Sequence, residues 1–526
     1  MSGPACAISA APSIPRRFGG LALPRFGAPT IQRWLFLLSL FVLLAAQAAS
    51  APLRVCCISG SFEYESDKSL KAFQQYLEAG YNAACTLVSA PDPDHLGDLS
   101  PLSQCDVALF FTRRLTLDGP QLERVKQYCL SGKPIVGVRT ASHGFQKWLE
   151  FDRLVLGGNY HNHFPAGYTQ KDVIDPGAKD DPVLEGIGAI TSRASLYKSG
   201  PLAPDTHLLL TGSTPEGSAP VAWTREINGG RVFYTSLGAQ GDFENGTFRR
   251  LLANALFWVA RRQVERKPLP PVPERPMPTG MLKLRLRTRV ETFKGSGAWD
   301  AVTMTREVPV AETAIVICDM WDNHWCQGAA QRCAVLAGKM EPVLEAARAK
   351  GVQIIHCPSE TMDFYLDSLQ RRRMQLVARV EPPPPLALPD PPLPIDDSDG
   401  GCDSAEKPWY MAWTREHAAI QIGEFDGISD QGAEVYSFLR AHGIQFIIVM
   451  GVHANMCVLN RPFAIKQMTR WGVHCILARD LTDAMYNPRM PPHVSHWQGV
   501  ELVVEYIEKY WAPSVSTEDL LAGLPQ

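Results

Sequence analysis

The chain has 526 residues, of which 45% are hydrophobic and 20% charged, with a formal net charge of −3. It is too long for one core and has the composition of ordinary folded protein, so two domains are expected and a disordered or collagen-like chain is excluded. The near-balanced charge, with no basic stripe, speaks against nucleic acid as a partner.

The first 52 residues carry Arg16, Arg17, Arg25 and Arg33 and no acid, and an apolar run from Trp34 to Ala46 leads into the small residues Ala48 and Ala49. This is the pattern of a secretory signal peptide, assigned to residues 1–51, and it implies export to a periplasmic or extracellular space. The apolar run is shorter than the roughly 20 residues of a spanning helix, so no stable membrane span is expected after cleavage. Thirteen cysteines leave disulfides open in such a compartment. Cys56, Cys57, Cys318 and Cys357 lie in apolar strand-like runs where a thiol behaves as a small core residue.

From residue 52 to 263 short apolar runs (LRVCCISG, CDVALFF, PIVGVRT) alternate with amphipathic stretches (SDKSLKAFQQYLE, DGPQLERVKQYCLSG). That alternation predicts an α/β domain, three layers deep, with a mainly parallel sheet. Residues 264–280 contain six prolines between Pro268 and Pro278 and read as a stiff linker. Residues 281–312 open with LKLRLRTRVETF, whose period of two predicts an edge strand or an arm across a domain surface.

A second alternating series (TAIVICDM, EPVLEAARAKG, VQIIHC, GAEVYSFLRAHG, IQFIIVMG, VHCILARD, VELVVEYIEKYW) predicts another three-layer α/β domain over residues 313–515, before a tail at 516–526. Within it, the proline-dense stretch from Glu381 to Asp403 is expected to be a surface loop or lid.

Reactive groups in open α/β sheets collect at the carboxyl ends of the strands. TAIVICD puts Asp319 at such an end, and IQFIIVMGVHANMCV puts Cys457 in a strand-to-helix turn. A thiol in that position has main-chain amides to favour its thiolate and an oxyanion, and a nearby acid can shuttle its proton. The bland alternative is a packing cysteine beside a strand that happens to end in aspartate. Trp321, Asp322 and His324 either line a pocket there or cap the following helix.

His356 stands alone after the second strand and reads as a satisfied strand-end histidine rather than a metal ligand. Asp396, Asp397, Asp399 and Asp403 faintly suggest a calcium loop but lack its spacing and closing glutamate. No metal and no cofactor are expected.

Residues 313 to about 511 resemble the isochorismatase and nicotinamidase type of cysteine hydrolase, through DMWDNHW, GVHANMCV and GVHCILARDLTDAM. The resemblance implies Cys457 as nucleophile, Asp319 as its proton acceptor, a cis peptide at Val452-His453, and an oxyanion hole from the amides of His453 and Cys457. The family lysine has no counterpart in WTREHAAIQIGEFDGIS, where Arg415 or His417 is the expected substitute cation.

Residues from Leu53 to about Arg262 resemble the ThuA-like, trehalose-utilisation domains related to class I glutamine amidotransferases, through VCCISGSFEYESDKS, GKPIVGVRTASHGFQKW, LGGNYHNHF and GGRVFYTSLGAQGDF in order. Where an amidotransferase has its elbow cysteine, this sequence has Arg139, so glutaminase chemistry by that route is excluded. Arg139, His143, His161 and His163 are the expected ligand pocket, with Tyr197, Trp223 and Asp242 on the same face.

Together these features predict an exported hydrolase of a C–N amide or related carbonyl bond. Its first domain is expected to bind a carbohydrate-like ligand. A small, sugar-related substrate and a homo-oligomer are the expected partners. The alternatives are a catalytically degenerate scaffold of an extracytoplasmic saccharide pathway, and an active first domain working through Arg139 and its histidines.

Overall fold

The computed structural model describes residues 50–404, 406–409 and 411–525. The expected signal peptide lies almost wholly outside the described residues. Pro52–Gln526 form one compact unit built around two sheets.

The first sheet has nine strands: β1 (Leu53–Gly60), β2 (Ala83–Ser89), β3 (Val107–Thr112), β4 (Ile135–Val138), β5 (Gln170–Ile174), β6 (Ile190–Ser192), β7 (His207–Thr214), β8 (Gly217–Ile227) and β9 (Gly230–Thr235). Their spatial order is β2-β1-β3-β4-β9-β8-β7-β5-β6. β2, β1, β3, β4 and β9 run parallel, and β8, β7, β5 and β6 continue antiparallel. The antiparallel half begins at a tight turn in which Asn228 and Gly229 both have positive φ (51° and 84°), as a type I′ hairpin requires.

Alternation along β1 separates two cores. Val55 and Cys57 pack with Leu70, Phe73 and Leu77 of α1 (Ser66–Gly80) and with Leu252 and Leu256 of α3 (Gly246–Val259), whereas Cys56 and Ile58 pack with Leu122 and Val125 of α2 (Gly119–Leu130). Side chains that alternate across a strand serve both covered faces, which gives the three layers.

The second sheet holds β10 (Met281–Glu291), β11 (Trp299–Pro309), β12 (Thr313–Cys318), β13 (Gln353–Cys357), β14 (Gly427–Ile428), β15 (Phe446–Val452), β16 (His474–Asp483) and β17 (Ser514–Val515), in the order β11-β10-β17-β16-β15-β12-β13-β14. Strands β12 to β17 pair in parallel. β10 joins them antiparallel through β17, so the arm predicted at residue 281 is a strand with a neighbour on each side, and β11 takes the edge.

Ile315 and Ile317 of β12 pack with Leu336, Met340 and Leu344 of α4 (Gln327–Ala349). Ala314 and Val316 pack with Val435 and Phe438 of α6 (Gly432–Ala441) and Val503 of α9 (His496–Tyr510). The second domain also holds α5 (Leu369–Leu376), α7 (Cys457–Asn460), α8 (Ile465–Arg470) and α10 (Thr517–Ala522).

The two sheets are joined by more than the proline segment. Asp363 accepts hydrogen bonds from the Thr191 amide and the Asn245 side chain, and Tyr76 donates to Asp367 at 2.7 Å. Thr169 donates to the Ala412 carbonyl at 2.8 Å, and Trp409 donates back to the Thr169 carbonyl. No helix among the described residues is long and apolar enough to cross a membrane.

Candidate active site

β12 and β15 are neighbours in register, with Cys318 opposite Gly451. The chain therefore leaves both strands at the same edge, and Asp319 and the turn to Cys457 arrive together. Gly451 sits at φ 120°, and a β-carbon there would lie 2.0 Å from the Cys318 carbonyl oxygen, so the close approach of the two strand ends requires glycine. Asp319 itself has φ 48°, a left-handed conformation that aspartate tolerates better than most side chains. The Val452-His453 peptide is cis.

Asp319 is fully buried. One carboxylate oxygen accepts the Ser359 amide at 2.7 Å and the other accepts Arg461 Nε at 2.9 Å. Burial raises its pKa from the ordinary carboxylate value, opposed by Arg461 and by the Ser359 and Cys457 hydrogen bonds. Cys457 is partly exposed and opens α7, where the first amides have no intrahelical acceptor. Burial and the neighbouring Asp319 carboxylate push its thiol up, while Arg461 and the His453 backbone amide, which hydrogen-bonds the sulfur, pull it down.

Arg461 is the cation of the site, correcting the expectation placed on Arg415 and His417. It lies four residues beyond Cys457, reaches Asp319 and Glu360, and stacks over the Trp321 ring at 6.0 Å. Arg415 instead pairs with Glu244 of the first sheet's domain and lies over Phe364, and the His417 amide donates to the Met320 carbonyl. An i,i+4 step from the predicted nucleophile is the signal that could have singled out Arg461.

The sulfur opens into a cavity of about 260 Å³ walled by Trp321, His324, Trp325, Trp413, Met456 and Met485, with Glu360, Arg461 and Gly400 at its edges. Trp321 and Trp413 stack with ring centroids 4.0 Å apart. His324 Nδ1 accepts the Cys326 amide, and burial lowers its pKa to about 4, so its ring is neutral with Nε2 carrying the proton. The His453 ring is likewise neutral, lowered to about 3 by burial. Asp322 turns away, accepting hydrogen bonds from Thr414 and lying 3.6 Å from Arg193.

The proline-dense stretch reaches the cavity through Gly400, and a disulfide between Cys326 and Cys402, 76 residues apart, ties it to the start of α4. The four aspartates of that stretch serve separate partners. Asp397 accepts from Asn455 and Asp399 from Asn487, Asp403 pairs with Arg332, and Asp396 caps Ser398. Cys326, Cys402 and Glu406 bring ligand atoms within 4.8 Å of one another, but a sulfur already joined in a disulfide is no thiolate ligand. Removing the cross-link with Cys402→Ser is expected to lower stability by about 2–4 kcal/mol and to raise KM as Gly400 loses its anchor. Thermal melting with and without dithiothreitol checks this, since the reductant should shift the parent protein and not the variant.

Residues 54–259 match the family model described as ThuA, trehalose utilisation, and residues 313–490 match the model described as isochorismatase domain. The chain carries these two domains in tandem.

Similar solved structures include a ThuA-like protein of Parabacteroides merdae, at 18% identity over 42% of this chain and 94% of that one, with a TM-score of 0.34. A cysteine hydrolase of Pseudomonas syringae aligns at 17% identity over 41% of this chain and 94% of that one, with a TM-score of 0.29. An isochorismatase family protein of Burkholderia thailandensis aligns at 14% identity over 41% and 96%, with a TM-score of 0.25. No curated protein matches the chain.

In the ThuA domain Arg139 and His143 stay together against the Tyr197 ring, whereas His161 and His163 lie at the surface. Arg139 follows β4 with φ 46° and is buried, bonded to the Ser236 carbonyl, Tyr64 and Ser195, with its guanidinium over the Tyr64 and Tyr197 rings at 4.9 and 4.4 Å. A left-handed arginine at this elbow is strained backbone held by its surroundings. His143 stacks on Tyr160, and burial lowers its pKa to about 3. His161 and His163 are exposed, and their Nδ1 atoms bond the carbonyls of Asn159 and Phe164. His163 lies in the short strand pair Asn162–His163 and Tyr197–Lys198, at the surface.

Trp223 is buried and donates to the Leu156 carbonyl. Asp242 accepts the Gly238 and Ala239 amides and the Ser192 hydroxyl, and reaches a cavity of about 520 Å³ between the domains. Arg415, His417 and Asp322 line this second cavity too.

Proposed function

We propose that the isochorismatase domain is a cysteine hydrolase of C–N amide or related carbonyl bonds. The observation that carries this reading is the buried Asp319 held between the Ser359 amide and Arg461 beside the Cys457 sulfur, at the mouth of an aromatic cavity.

Asp319 takes the thiol proton as the Cys457 sulfur bonds to the substrate carbonyl carbon, and the C=O electron pair becomes an oxyanion facing the amides of His453 and Cys457. Asp319 returns the proton to the leaving nitrogen as the C–N bond breaks, leaving a thioester on Cys457. Asp319 then takes a proton from water, the resulting hydroxide displaces the sulfur, and the thiol regains its proton. The raised pKa of Asp319 makes it a better acceptor than an ordinary carboxylate, and Arg461 steadies the charge that remains. The tryptophan walls fit a small, flat, apolar-faced acyl group, with Arg461 available to a polar edge.

The ThuA domain, on the same proposal, binds a carbohydrate-like ligand. Support comes from the cavity between the domains, where Ser192, Gln240, Asn245 and Thr414 offer donors and acceptors beside the Phe364 ring. Export is part of the proposal, and the Cys326–Cys402 disulfide fits an oxidising compartment.

A second reading, a scaffold that kept the fold and lost the chemistry, rests on the family lysine having no counterpart in WTREHAAIQIGEFDGIS and on Arg139 standing where an amidotransferase has its elbow cysteine. A thiol titration does not separate the two, because a thiol served by a general base stays protonated at rest in either case. Turnover does. The protein is expected to hydrolyse at least one member of a panel of amides, ureides and activated esters, and to show a mass increase of one acyl group on Cys457 when a slow ester is quenched early. A folded protein that turns over no member and gains no acyl mass leaves the scaffold reading in its place.

A further inference from the structure

β11 is the outer strand of the second sheet, eleven residues long, and the eight from Asp300 to Glu307 are all exposed. A long open edge is a ready template for strand pairing unless proline, a bulge or a covering element blunts it. Here the residues between Trp299 and Val308 include no proline, and the register with β10 runs unbroken from Met281↔Pro309 to Glu291↔Trp299.

On the face that carries buried Leu282, Leu284 and Leu286 of β10, β11 presents Asp300, Val302, Met304 and Arg306. Val302 and Met304 are 39% and 45% exposed, beside exposed Val290 of β10. Asp300 and Arg306 have no ion pair among the described residues, and Arg306 lies over the Phe446 ring at 4.6 Å.

We infer that β11 pairs antiparallel with β11 of a second copy of this chain, joining two eight-stranded sheets into one across a two-fold axis at Thr303. A two-fold that makes two identical edges antiparallel must stand perpendicular to the sheet, so it keeps each face on its own side and passes between the two copies of one self-paired residue. Centring on Thr303 sets Asp300 opposite Arg306 of the other copy and Val302 opposite Met304, each twice. Centring on Val302 sets Asp300 opposite Met304. Centring on Met304 sets Asp300 against Val308 and Val302 against Arg306. Of these registers, the one at Thr303 alone matches charge with charge and apolar with apolar, the pairings that stabilise neighbouring strands.

Sedimentation equilibrium of the full-length chain tests this. The parent protein is expected to be a dimer. Asp300→Arg and Arg306→Asp each put like charges opposite each other twice, and each should weaken the dimer at least about thirtyfold. The double exchange restores opposite charges and should restore the dimer, which loss of fold could not do. Val302→Lys, on the same face, should also favour the monomer. A monomeric parent at tens of micromolar, a dimer indifferent to both single exchanges, or a double exchange that fails to recover the dimer would each overturn the inference. Far-ultraviolet circular dichroism is expected to stay unchanged in every variant, since these side chains are exposed.

Discussion

Cys457→Ala is expected to abolish hydrolysis, a loss on the order of 10⁴-fold or more in kcat/KM, and Asp319→Asn to cost about 10²- to 10⁴-fold, with the fold intact in both. Asparagine keeps the shape that receives the Ser359 amide but cannot take the thiol proton, so a large loss with an unchanged melting temperature separates proton transfer from support of the turn. Full activity in either variant would end the cysteine mechanism.

Arg461 refines the same prediction through pH. Asp319 must be ionised to act, and burial raises its pKa, so the acid limb of kcat/KM should lie above the ordinary carboxylate range. Arg461 is the strongest influence holding that pKa down. Arg461→Ala should therefore move the acid limb further up and also raise the thiol, which Arg461 lowers. Arg461→Lys should recover part of the activity and of the profile. A structural role alone would lower the rate without moving the limb.

The two α/β domains could be read from the sequence because apolar runs and amphipathic stretches alternate over both, and the comparisons bear out that division into ThuA-like and isochorismatase-like parts. The antiparallel half of the first sheet was not legible, because its strands are joined by hairpins and loops that leave no helix to mark a crossover. That Cys457 and Asp319 meet at one sheet edge could be read from the strand ends that carry them, since the chain leaves neighbouring parallel strands on the same side. Arg461 stands at no strand end, and its only signal is the i,i+4 step from Cys457 rather than the segment that precedes α6. Trp413 and Trp325 were silent for another reason. A tryptophan in a loop reads as packing until the fold brings it across the cavity from Trp321.

His356 was read as a satisfied strand-end histidine, and the structure shows what satisfies it. The ring is fully buried, with Nδ1 2.7 Å from Glu416 and Nε2 3.0 Å from Asp426. Burial pulls its pKa down, but the two carboxylates outweigh that and raise it to about 9. The ring is therefore an imidazolium at neutral pH, donating to both acids, and Asp426 is further paired with Arg348.

A histidine whose folded pKa is about 9, against 6.5 unfolded, contributes stability that is complete below about pH 6.5 and lost as pH rises through about 9. Its size is about 3 kcal/mol on that interval. His356→Leu leaves Glu416 buried without its cation, and breaking such a pair costs about 3–5 kcal/mol. The variant should melt well below the parent at pH 6 and converge towards it near pH 10, with His356→Gln between them. Equal melting temperatures at pH 6 would refute a charged ring.

The effect should reach the cavity at Cys457 as well. Glu416 bridges to Trp321 across the strand-like contact that holds Trp321 against Trp413. Loosening Glu416 should therefore raise KM more than it lowers kcat, because the cavity walls shift while Asp319, Arg461 and Cys457 keep their own contacts.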